Sequence, residues 1–143
     1  MWYTKSVLLS VVCAVLLLSA SGCGDGKLPL GKVEGKVLYK GQPLKFGAVL
    51  FQPLEGPPAK GRIQSDGTFV LGTYTDSDGA VLGRHQVQVR CFTSQDPNAP
   101  PANANTEASL GKSLIPIKYV RYQTSGLREE VAENNEPVVI ELK

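Results

Sequence analysis

From Lys32 onward the chain alternates apolar and polar positions. Val33, Gly35, Val37 and Tyr39 fall on one side and Lys32, Glu34, Lys36 and Lys40 on the other, which is the pattern of a half-buried strand. Gly41-Gln42-Pro43 supplies turn chemistry, and Gly47 leads into a second run, Ala48-Val49-Leu50-Phe51-Gln52, that Pro53 ends. Leu54 to Ala59, with Pro57 and Pro58, reads as a loop. Lys60 to Gln64 and Thr68 to Leu71 flank Ser65-Asp66-Gly67, and Asp-Gly between extended runs predicts a tight β-hairpin because both residues tolerate positive φ. The clearest alternation spans His85 to Thr93, with Val87, Val89 and Cys91 facing inward and Gln86, Gln88 and Arg90 facing out. Ser94 to Ser113 is polar, rich in Pro, Asn and Ala, and without period, so residues 94–113 are expected to form a mobile loop. Leu127 to Ala132 and Pro137 to Lys143 surround Glu133-Asn134-Asn135-Glu136. With Val138, Ile140 and Leu142 as an inward row, the chain is expected to close with a hairpin. No stretch of the body has helical periodicity and no internal repeat occurs. About seven short strands then predict an all-β fold, a single two-sheet β-sandwich over residues 32–143.

The N-terminus follows a different rule. Met1 to Thr4 with Lys5 makes a short, positively charged start, and Val7 to Leu18 is an apolar run interrupted only by Ser10, the layout of an export signal. Twelve helical residues rise about 18 Å against roughly 30 Å of hydrocarbon, so this signal helix is short for a permanent membrane span and is expected to be cleaved. The residues that follow, Leu18-Ser19-Ala20-Ser21-Gly22-Cys23, resemble the bacterial lipobox. In that motif a cysteine receives diacylglycerol and the chain is cut immediately before it. Ala20, Ser21 and Gly22 fit the three positions ahead of the cut; alanine at 20, where the motif usually has leucine, is a tolerated variant. A thiol can become a thioether to lipid, and small side chains let the backbone enter a narrow protease cleft. Cys13, preceded by Val11 and Val12, offers no such approach. Residues 1–22 are thus expected to be a lipoprotein signal peptide, Cys23 the site of lipid attachment, and residues 23–31 a lipidated tether. From Gly24 to Gly31 that tether reaches at most about 29 Å when extended. The competing reading is an ordinary secretory signal cut in the same Ala-Ser-Gly stretch, with Cys23 left free.

Composition adds limits. The sequence has 143 residues; loss of the first 22 leaves 121, one domain's worth, and 42% hydrophobic with 20% charged residues is an ordinary globular balance. The formal net charge of +2 falls to +1 once Lys5 departs, so nucleic acid is not an expected partner. Cys91 is the only thiol left in the body, and lipidation of Cys23 removes any partner for an internal disulfide.

Four stretches, taken in order, point to a family. Val33-Glu34-Gly35-Lys36-Val37, Gly41-Gln42-Pro43-Leu44, Gly47-Ala48-Val49-Leu50-Phe51 and Ser65-Asp66-Gly67-Thr68-Phe69 resemble carboxypeptidase regulatory-like domains. The pattern of that family is a Val-x-Gly-x-Val strand, a Gly-x-Pro-Leu turn and an Asp-Gly-x-Phe hairpin. Gly83-Arg84-His85-Gln86-Val87-Gln88-Val89 is similar to its next strand, and Ile115-Pro116-Ile117-Lys118-Tyr119 followed by Thr124-Ser125-Gly126-Leu127 looks like the tail of small lipoproteins made of this domain alone. The resemblance implies a transthyretin-like (prealbumin-like) sandwich, a non-catalytic binding or structural role and no peptidase activity; no cofactor is expected.

Candidate chemistry in the body is thin. His85 is the single histidine, in phase with the inward face, and is expected to cap the edge of the core. A Ser-His-Asp relay with Asp66, Asp76 or Asp78 lacks a nucleophile-elbow motif. One histidine and one thiol do not make a standard tetrahedral zinc site. The hydroxyisourate-hydrolase branch of the transthyretin family depends on several histidines and a C-terminal Tyr-Arg-Gly-Ser, neither of which is present. An EF-hand frame over Thr75-Asp76-Ser77-Asp78-Gly79, begun at Tyr74, puts His85 where the bidentate glutamate belongs, which leaves turn chemistry or a looser calcium site at 75–79. Tyr74, Tyr119 and Tyr122 fall in expected loops and raise the alternative of a carbohydrate-binding accessory module of the cell envelope, although Trp2, the single tryptophan, leaves with the signal. The sequence thus reads as a non-enzymatic, exported bacterial lipoprotein. It is expected on the cell membrane or outer membrane, facing the periplasm or exterior, held by lipid on Cys23 and partnered by another envelope protein.

Overall fold

The computed structural model describes residues 26–99 and 110–143; the segment expected to be an export signal and Cys23 lie outside the described residues. The strands run β1 (Leu30–Gly31), β2 (Glu34–Tyr39), β3 (Gln42–Pro43), β4 (Ala48–Pro53), β5 (Ala59–Arg62), β6 (Thr68–Val70), β7 (Ala80–Val81), β8 (Gly83–Arg90), β9 (Leu127–Val131) and β10 (Val138–Leu142). Two 3₁₀ turns, Thr93–Gln95 and Ile117–Val120, and a one-turn helix α1 (Tyr122–Ser125) complete the elements. The fold is all-β. Among the described residues ten strands stand where the sequence predicts about seven, because β1, β3 and β7 have two residues each and are too short to alternate.

One four-stranded sheet is antiparallel throughout, in the order β5-β4-β8-β9. The other has β2 at its centre, β10 parallel to it on one side, and β6 and β3 sharing the other side end to end. β1 and β7 form a separate two-stranded ribbon. A single apolar cluster joins the two larger sheets: Val37, Phe69, Ile140 and Leu142 from one meet Val49, Phe51, Val87 and Val89 from the other. The Phe51 and Phe69 rings pack 6.4 Å apart at 51°, a tilted geometry favoured by aromatic quadrupoles.

Local sequence explains the turns and one close approach. β2 returns into β3 through Lys40 (φ 52°) and Gly41 (φ 77°), both in the left-handed region, the two-residue turn that matches the twist of paired strands. The turn lies one residue earlier than the Gly41-Gln42-Pro43 reading, and Gln42-Pro43 is strand. Gly35 sits in the inward row of β2 directly opposite Phe69; a Cβ there would lie 2.8 Å from the Phe69 ring, so the aromatic side chain fills the space that the missing one leaves. Two of the motif stretches are therefore halves of one packing unit.

Two sequence expectations are corrected. The terminal hairpin is absent: β9 pairs with β8 and β10 pairs with β2, in different sheets. Asn135 makes this crossing possible, its amide oxygen accepting from Ala132 N (2.9 Å) while its nitrogen donates to Ala132 O and Lys32 O (both 2.8 Å). The Asp66-Gly67 hairpin forms at its tip, where Gln64 N donates to Thr68 O (2.8 Å), and at its base, where Lys60 and Gly72 exchange backbone hydrogen bonds. Between them the strands part, β5 joining β4 and β6 joining β2. The 94–113 excursion is tied down at both ends. Thr93 N donates to Lys112 O (3.0 Å), Leu114 N to Cys91 O (2.8 Å) and Ser94 Oγ to Leu110 O (2.8 Å); residues 100–109 lie outside the described ones.

Candidate functional site

The stretch expected to be a free tether is not free along its length. Leu28 N donates to the Tyr74 hydroxyl (2.8 Å), Lys27 Nζ stands 5.7 Å above the Tyr74 ring, and Leu82 N donates to Pro29 O (3.1 Å). Leu30 and Gly31 pair with Val81 and Ala80. The Leu28 side chain also rests beside Gly56, in the loop between β4 and β5. Among the described residues the chain is held from Lys27 onward, and in the sequence Gly24, Asp25 and Gly26 separate Lys27 from Cys23.

His85 lies deeper than an edge cap, at 1% exposure. Its Nε2–H donates to Val81 O (2.6 Å) and its ring packs 5.7 Å from Phe51, while the buried Nδ1 has no hydrogen-bond partner among the described residues. Among the described residues no hydroxyl or carboxylate hydrogen-bonds the ring. Asp66 accepts instead from the Thr68 hydroxyl (2.7 Å) and amide (3.0 Å). Asp78 accepts from the amides of Thr73 (2.6 Å), Tyr74 (3.1 Å) and Thr75 (2.8 Å), so its two oxygens are taken by the loop itself. Among the described residues no group of three His, Cys, Asp or Glu side chains is placed to hold a metal ion.

These turn carboxylates carry a pH dependence. The Thr68 hydroxyl and amide pull the Asp66 carboxyl below its ordinary 3.8. At Asp78 burial acts upward but the three amides outweigh it, and the net shift is also down from 3.8. A lowered folded-state pKa contributes stability that is present above the unfolded value and is lost as pH falls through the folded one. The melting temperature is therefore expected to fall steadily below about pH 4. In Asp78→Ala this acid decline should be shallower and the neutral-pH melting temperature lower; an acid limb identical to that of the unsubstituted protein would contradict the assignment.

Cys91 is buried at 1% exposure, and burial, with Asp96 nearby, raises its thiol to about 11. It is an inert core thiol. Of the three tyrosines, Tyr119 is buried, its hydroxyl accepting from Lys143 N (3.0 Å), Tyr122 is half-buried and Tyr74 holds the tether. Gln88, expected on the outer face, is buried at 2% because the segment from Ile115 to Ser125 folds over it. With its amide turned to satisfy both ends, it donates to Val120 O (2.8 Å) and accepts from the Arg90 guanidinium (3.0 and 3.2 Å).

A concavity of about 580 Å³ runs along the β8–β9 pair and is lined by Leu54, Arg84, Gln86, Arg128, Glu129 and Glu130, with His85 at its floor. Glu129 stands opposite His85 in the ladder, in the inward row between Leu127 and Val131, and burial raises its carboxyl above the usual range. None of these groove residues stands out in the sequence, because charged residues on a strand read as a solvated face and the loop that comes to line them lies far away in the chain. No family model matches the chain, and no curated protein or solved structure matches it.

Proposed function

We propose that the chain is an exported bacterial lipoprotein, anchored through lipid on Cys23, whose domain is a non-catalytic binding or structural module of the cell envelope related to carboxypeptidase regulatory-like, transthyretin-like sandwiches. The observation that carries this reading is the docked tether: the chain joins the domain within four residues of Cys23, so an anchored protein holds its folded body at the membrane. Two or more fatty chains, at about 0.8 kcal/mol per buried methylene, make such attachment durable. The core position of His85 and the self-contained carboxylates of Asp66 and Asp78 support a role without catalysis. The groove beside β8 and β9 presents both signs of charge, which suits a polypeptide segment of another envelope protein. The buried ring of Tyr119 is withdrawn from any sugar-stacking platform.

Crosslinking in intact cells followed by purification tests this, paired with a glycan array. A reproducible envelope-protein adduct that Arg84→Glu and Arg128→Glu abolish is the expected result. A glycan hit with no protein adduct would replace this reading with the carbohydrate-binding one.

A further inference from the structure

Leu54 is 81% exposed, Leu28 38% and Tyr74 36%. They belong to three separate segments: Leu28 bonds the Tyr74 hydroxyl and its side chain lies against Gly56, in the loop that also carries Leu54 two residues earlier, at the rim of the β8–β9 groove. Lys27 sits over the same tyrosine. This tip, formed where the described chain begins, is the place on the domain closest along the backbone to Cys23.

We propose that this tip is a second, non-covalent membrane contact, with Leu28, Leu54 and Tyr74 resting among the lipid headgroups and Lys27 at the phosphate level. The proposal rests on the lipid-anchor reading and specifies which face of the anchored domain meets the bilayer. Four backbone steps separate Cys23 from Lys27 and reach at most about 14 Å when fully extended. A relaxed Gly-rich stretch of that length averages only about 11 Å. The headgroup layer itself takes up roughly 5–7 Å of this distance. Keeping the tip in water would require a stretched tether, whereas letting it settle places an aromatic ring and two leucines where amphipathic surfaces are favoured and a cation where phosphates lie. Leu54, 81% exposed, is the most exposed large hydrophobic residue among the described ones, and it stands in the loop that carries Gly56. The opposite end is marked by Tyr119, bonded to Lys143 just past β10, with Ile117 exposed beside it.

Loss of Trp2 with the signal would leave the mature protein without tryptophan, so a single introduced one reports its own surroundings. Leu54→Trp and Ile117→Trp, each made in the full chain and purified from the membranes of producing cells, are reconstituted into phosphatidylethanolamine–phosphatidylglycerol vesicles with brominated acyl chains. Flotation checks attachment. Expected are co-flotation of both variants, a blue-shifted emission that loses most of its intensity for Leu54→Trp, and an unquenched aqueous spectrum for Ile117→Trp. Co-flotation with the same aqueous spectrum from both positions would overturn the tip contact and leave the anchor standing. Failure to float would overturn the anchor and the tip contact together.

Discussion

Val89→Asp is expected to unfold the domain. Val89 is completely buried in the middle of β8, paired with Val49 of β4 and inside the cluster that joins both larger sheets. An aspartate there must either stay ionised without a partner or take up a proton, and either course costs several kcal/mol against a total stability of about 5–15 kcal/mol. For a domain of this size each kcal/mol lowers the melting temperature by roughly 4 °C or more, so a loss of at least about 15 °C, or failure to accumulate, is expected in thermal melts. The same change at Val139, 63% exposed on β10, should shift stability by no more than about 0.5 kcal/mol. Equal stability of the two variants would contradict the facing of the strands.

Cys23→Ala is expected to have the largest effect on location. Without a thiol there is no thioether, and without the thioether the cut before residue 23 does not follow, so the variant should accumulate as the longer precursor or appear in the soluble fraction. Fractionation with a mobility comparison reads both. A variant still shortened and still in the membrane fraction would remove the case for lipidation. The fold itself should be untouched, since the hydrogen bonds and strand pairing that seat this stretch on the domain are made by Leu28, Pro29, Leu30 and Gly31.

The two variants draw on parts of the sequence that differ in legibility. Which face of a strand turns inward was readable: Val33 and Val37, Val87, Val89 and Cys91, and Ile140 and Leu142 are all buried, because alternation encodes the two sides of a pleat. Which strand pairs with which was not. β9 and β10 have the spacing and the polar connection of a hairpin, yet the Asn135 side chain satisfies the backbone groups that a hairpin turn would have used and sends the chain to the other sheet. Gln88 was misplaced for a related reason: its outward face is covered by residues almost thirty or more positions later, and no local pattern reports a covering segment. His85 was read onto the correct face but too near the rim, since its hydrogen bond to Val81 depends on the two-residue β7 that no periodicity reveals. The turn role of Asp78 was legible from Asp and Gly alone, whereas the groove and the exposed tip depend on loops meeting in space. The tether shows the same limit, with polar and glycine residues reading as a linker while Tyr74, 46 positions away, holds Leu28 in place.

The most direct measurement is the intact mass of the mature protein purified from its native membrane, with fragmentation of the N-terminal peptide. The account predicts a chain beginning at Cys23 whose sulfur carries a diacylglyceryl group. A chain with a free thiol at that residue, or one that still retains residues 1–22, would contradict it.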